Sequence, residues 1–177
     1  MATTLYDLTV GSYTQVLEST LVVLEKGKAY CEENGISLKD MLETKLQDDM
    51  QGLYFQLFSV IHHSANALKA LSTGEFGPPA GAFAHEITEQ DYDAMIETVK
   101  ESIAFMHAQD ADAINANSGK SVVFKLGKNE LPFTTENFVL SFSLPNLYFH
   151  ATTAYDILRM KGVQIGKMDY LGKLKMG

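Results

Sequence analysis

DMQGLYFQLFSVIHHSANALKAL, residues 49–71, decides the fold. Leu53, Leu57, Ile61, Ser64, Leu68 and Leu71 recur at steps of three and four, the spacing that lines one face of an α-helix, and Gly74 ends the run. The same period returns on both sides. Toward the N-terminus, Tyr13, Leu17, Leu21, Leu24 and Cys31 mark a helix from Val10 to Asn34, stopped by Gly35. Ser37, with Asp40 three residues on as a loose capping-box partner, opens a short helical turn leading to LQDDM. Toward the C-terminus, Thr88 with Asp91 opens a third helix that carries Tyr92, Met95, Ile96, Val99, Ile103 and Met106 on to about Gln109. A fourth, from Asn146 to about Lys161, carries Leu147, Ala151, Ala154 and Leu158; Pro145 suits its first turn and Gly162 stops it. Four amphipathic helices in one chain predict an all-α four-helix bundle with short accessory helices.

Two stretches depart from the helical period. STGEFGPPAGAFAHE, residues 72–86, concentrates Gly and Pro and reads as a loop joining two helices across the bundle. Between Ser121 and Phe133, SVVFKL, the turn GKN and ELPF predict a small β-hairpin between helices three and four. Thr134 or Thr135 then caps a further short helix through TENFVLSFSL.

At 177 residues the chain predicts a single domain, 1–177, with a core of its own. Ten Phe, eight Tyr and eight Met supply large side chains for the spaces between helices. The net charge of −8, and no run of Lys or Arg interleaved with aromatics, argue against nucleic acid and anionic membranes as partners, because both demand a positive patch. The lone Cys31 excludes an internal disulfide, and MATTLYDLTVG lacks the basic and apolar regions of a secretory signal, so the expected location is cytoplasmic. VLESTLVVLEKGK is broken by Glu18 and Glu25 and falls short of the ~18 to 20 apolar residues of a membrane helix.

Few residues carry chemistry. NSGKS at 117–121 lacks the glycine of a phosphate-binding loop, since Ile114 stands in its place, and reads as a turn. Cys31, on the apolar side of its helix with no neighbouring base, reads as a buried structural thiol. His107 suits the carbonyl end of its helix, His85 falls in a connection where nothing fixes its geometry, and His62 projects about 140° from the apolar stripe and is expected to face outward. His63 differs. With Gln56, Ser59 and Ala67 it forms a small or polar row flanking the stripe of helix two, while Asn146, His150, Thr153 and Ile157 form a similar row on helix four. If the two helices are neighbours, the imidazoles face one pocket; the alternative is that each is a partly buried histidine hydrogen-bonded to a neighbour.

The segments LQDDM, VIHHSANAL, LPNLYFHATTAYDILRMKGV and GKMDYLG resemble a domain-of-unknown-function family within the DinB-like four-helix-bundle superfamily, over Leu5 to Gly172. The resemblance implies an up-down-down-up bundle, often dimeric, with a metal centre between helices two and four. In that superfamily one histidine comes from the second helix and an HxxxH pair from the fourth. His63 matches the first and His150 the second member of the pair, whereas Asn146 occupies the place of the other. An amide oxygen is a poorer transition-metal ligand than imidazole, so a divalent metal held by His63, His150 and Asn146 would have an incomplete donor set.

Two functions compete. One is a small-molecule enzyme in which His63 and His150 do acid–base work, or hold a weak metal with Asn146, in a pocket lined by Gln56, Ser59, Thr153, Tyr148, Tyr155 and Phe58. The other is a non-catalytic ligand-binding or structural module, a homodimer without metal, in which Tyr148 and Tyr155, seven residues apart, anchor helix four by packing.

Overall fold

The computed structural model describes residues 3–79, 81 and 84–176; residues 80, 82 and 83 of the 72–86 loop lie outside the described residues. Helix α1 covers residues 5–34, with a π turn at Asp7–Gly11 running into Ser12–Asn34, and begins five residues before Val10. Tyr13, Leu17, Leu24 and Cys31 are buried along it. Ser37 caps the short α2, Leu38–Glu43, by accepting from the Asp40 N–H at 3.1 Å, as its spacing predicts. Helix α3 covers residues 53–73: Leu53–Ile61, a π turn at His62–Asn66, and Ala67–Thr73.

The chain then turns back as the two-residue strand β1, Glu75–Phe76, which no periodicity reveals. Helices α4, Asp91–His107, and α5, Ala111–Asn115, follow, then the hairpin of β2, Ser121–Leu126, and β3, Asn129–Thr134. The hairpin pairs Ser121 with Thr134 through Leu126 with Asn129, and Gly127, at φ 60°, opens its two-residue turn where a positive φ is needed. β1 joins as a third strand, parallel to β2, with Phe76 opposite Phe124. The fold is thus mostly helical with a small sheet.

Helix α6 covers residues 135–160 without a break, from Thr135–Phe138 through a π turn at Val139–Ser143 into Leu144–Met160. The sequence places a short helix and a separate start at Pro145 here; instead the widened turn just before Pro145 accommodates a ring that cannot donate to the helical ladder. Lys167–Leu171 forms a last short helix, α7. Helix α1 packs against α4 and α6, and α3 against α6 and α4, so the four long helices enclose one apolar cluster.

Gly27 lies where α1 meets Tyr92 of α4 and Leu158 of α6. A Cβ there would collide with Tyr92 Oη, which donates to the Leu24 carbonyl at 3.0 Å, and would press on Leu158 Cδ2 at 3.0 Å. Gly27→Ala is expected to lower the unfolding free energy by about 1–3 kcal/mol despite alanine's better helix propensity, measured by urea denaturation.

Candidate functional site

The π turn of α3 sets where its histidine doublet goes. The turn changes the phase of the helix at His62, and the return through β1 lays Phe76 and Gly77 over that side. His62 is therefore buried rather than outward-facing: its ring stacks on Phe76 at 4.4 Å, and Nε2 donates to the Gly77 carbonyl at 2.8 Å. That bond leaves Nδ1 as an acceptor, facing Asn66 Nδ2 at 3.5 Å.

His63 is buried one step further in. Its ring lies nearly parallel to that of His150, 12° between planes and 5.7 Å between centroids, and Phe76 and Phe142 pack against it. Its backbone carbonyl accepts from Ser143 Oγ at 2.7 Å, and Ser143 in turn accepts from Tyr13 Oη at 2.7 Å. His63 Nδ1 and Ser59 Oγ, one turn apart on α3, are both buried without a hydrogen-bond partner among the described residues.

His150, on α6, is half-buried between Phe55 and Phe149. Gln56 fixes its tautomer. The Gln56 amide donates from Nε2 to the Gln51 carbonyl at 2.9 Å, so its oxygen faces His150 Nδ1 at 2.8 Å and must accept from it. His150 Nδ1 carries the proton and Nε2 keeps a lone pair.

The remaining expected site residues divide. Thr153 is buried but donates to the Phe149 carbonyl at 2.8 Å. Asn146 donates to the Phe142 carbonyl at 2.7 Å, within its own helix. Tyr148 is exposed, and Tyr155 packs on Tyr170 with its hydroxyl toward the Ile165 carbonyl at 3.5 Å, so neither joins the histidines. Phe58 lines a cleft of about 340 Å³ on the outer side of His62, beside Asn66 and Lys69. His85, expected to be unanchored, meets Asp91 at 2.8 Å and stacks on Tyr54 at 4.9 Å. His107 faces Glu18 of α1 at 3.4 Å rather than its own helix end. The NSGKS amide at Gly119 is taken by the Glu136 carboxylate at 3.0 Å, which agrees with a turn. Burial raises the Cys31 thiol pKa, consistent with a structural role. Sequence reading missed His62, Phe76, Phe142 and Ser143; the only trace of this arrangement in the sequence is Pro145 in the middle of a helical period.

The donor set does not fit a three-histidine metal centre. His62 Nε2 is turned to a carbonyl, and the third position carries the Asn146 amide, whose Nδ2 donates within its own helix, in place of an imidazole. Among the described residues no group of three or more His, Cys, Asp or Glu side chains is placed to hold an ion. What remains is a pair of neutral imidazoles. Burial, reinforced by the neighbouring imidazoles, pushes His63 down to about 3; burial, with a contribution from His62, pushes His150 down to about 4. His62 is lowered too, chiefly by burial, against the bond to Gly77.

The four long helices form a bundle with the histidine pair between α3 and α6. The crystal structure of a DinB family member protein from Shewanella denitrificans has the same fold: TM-score 0.77 over 98% of this chain and 94% of that one, at 23% sequence identity. By its sequence the chain belongs to the family described as domain of unknown function DUF1993, whose model matches residues 5–171. Comparison with curated proteins gives no match. No helix among the described residues is long and apolar enough to cross a membrane.

The depressed histidines predict a pH-dependent stability. Unfolding returns each to a pKa of about 6.5, so below that value the unfolded chain binds protons that the folded chain refuses. Stability from this source is complete above pH ~6.5 and falls as pH drops toward the folded values. Between pH ~5.5 and 4.5 the slope for the pair approaches about 2.7 kcal/mol per pH unit. Urea midpoints across this range should show it, and His63→Gln with His150→Gln should flatten it.

Proposed function

We propose that the chain is a small-molecule enzyme whose reaction centre is the His63–His150 pair, with His150 Nε2 as proton acceptor. The observation that carries this is the Gln56 bond, which pins the His150 proton on Nδ1 and leaves Nε2 bare on the more accessible of the two rings. At neutral pH both imidazoles are free bases. A proton taken from a ligand leaves an anion beside the new imidazolium, and their attraction in a poorly solvated site strengthens the base at the moment of transfer. Behind it, the unpartnered Ser59 Oγ and His63 Nδ1 supply buried polar atoms for a ligand's own donors and acceptors.

A non-catalytic binding module is the second reading. It is favoured by the fact that His150 is oriented by an amide, not by a carboxylate that would stabilise an imidazolium. Incubation with a cell metabolite extract, followed by mass spectrometry, separates the two. The enzyme reading expects specific depletion by wild type and a loss of about 100-fold in His150→Gln with the helical circular dichroism unchanged. Equal depletion by the variant removes His150 from the chemistry, and ligand retention without turnover favours the binding module.

We also propose a homodimer, supported by the exposed Leu140, Tyr148 and Phe149 on α6. Light scattering should give twice the chain mass of 19.6 kDa, and a monomer at micromolar concentration refutes it.

A further inference from the structure

Residues 137–155 of α6 contain no Asp, Glu, Lys or Arg. The same holds for 50–68 in α3, but there only Gln51 and Asn66 are exposed, as suits a helix at the centre of the bundle. On α6 the uncharged stretch reaches the surface. Leu140, Ser141, Pro145, Tyr148, Phe149 and Thr152 are exposed, and the last four keep the three- and four-residue steps of one helical face. Leu140, Tyr148 and Phe149 are 51%, 44% and 57% exposed, on a strip about 18 Å long.

Charge says what covers this strip. The chain carries −8, so a basic partner is drawn to its acidic surfaces and an anionic one is repelled. A second copy of the chain is the partner for which an uncharged face matters most, because around a two-fold axis each residue meets its own counterpart and any charge meets its like. The charges that bound the strip agree. Glu136 precedes it, and Asp156 and Arg159 follow it. Glu136 and Arg159 lie 12 residues before and 11 residues after Tyr148, so two α6 helices packed antiparallel about Tyr148 bring Arg159 of each copy to the Glu136 end of the other. The strip also borders the imidazole pair. Phe149 meets the half-buried His150 ring edge-on, 5.2 Å between centroids, so a helix laid over Phe149 takes water from beside His150.

We propose that two copies pack α6 against α6 through this strip and thereby close the His150 side of the imidazole pair, so that dimer dissociation governs access to it. As regulation of that site, this rests on the reading of the pair as the reaction centre. Diethyl pyrocarbonate, which acylates neutral imidazoles, is the probe at neutral pH; peptide mass spectrometry follows each histidine, and light scattering the mass. Wild type is expected to be a dimer with a slowly reacting His150, and dilution into monomer to speed that reaction at least about tenfold, because the rate follows the dissociated fraction. Leu140→Glu puts a charge on the strip ten residues from His150 and should give a monomer whose His150 reacts at the faster rate at every concentration. His107, 62% exposed on α4, is the internal control and should react equally in all samples. Tyr148→Lys supplies the same reading if Leu140→Glu loses its helical circular dichroism. The proposal is overturned by a monomeric wild type, by a dimer that survives both substitutions, or by monomers in which His150 reacts no faster. Protection by dimerisation without any turnover upholds the closure and removes the reaction-centre reading, which keeps the two failures apart.

Discussion

The hydrogen-bonded chain from Tyr13 Oη through Ser143 Oγ to the carbonyl of His63 joins α1, α6 and α3 at one buried point. A π turn widens the regular helical ladder, and a carbonyl within it can accept a side-chain donor from a neighbouring helix. Ser143, itself in the π turn of α6, provides one. Burial holds the Tyr13 phenol well above its usual pKa, so it remains a donor throughout the range in which the protein is folded. Two irregular helical turns are thus joined by one buried hydrogen bond.

That junction determines the character of the site. The His63 ring lies alongside His150; Phe76 and Phe142 pack against the first and Phe55 against the second. Desolvation then outweighs every other influence on their protonation, because their neighbours are an amide and aromatic rings, not carboxylates. Imidazoles in such surroundings are bases or ligands, not acids. The bundle brings His63 and His150 together, and Asn146, whose Nδ2 donates to the Phe142 carbonyl, stands where the resemblance expects the third histidine. The small sheet completes the enclosure: pairing β1 with β2 holds Phe76 against His62 and places the Gly77 carbonyl where His62 donates.

Much of this architecture was legible from the sequence, for reasons specific to each element. The stripes of α1, α3 and α4 locate most of the core, Leu21, Ile61 and Ile103 being only partly buried, and the GKN turn between two β-rich runs announces its hairpin. His63, His150 and Gln56 were singled out because a polar row beside an apolar stripe is unusual, and the structure brings these three together. Tyr148 and Tyr155 were misplaced because seven-residue spacing says which side of a helix a residue occupies, not which neighbour lies there.

By itself, then, the sequence determined α1, α3, α4 and the C-terminal part of α6, the hairpin, the turn at NSGKS and the pair of histidines to watch, since all of these are written in local spacing. Tertiary structure decided the rest. The direction of His62 depends on a π turn and on a two-residue strand whose partner is 48 residues away, Glu75 opposite Val123. The anchoring of His85 needs Asp91 and Tyr54 from separate elements, and the neutrality of the imidazole pair arises from burial, a property of the packed assembly that no residue carries alone.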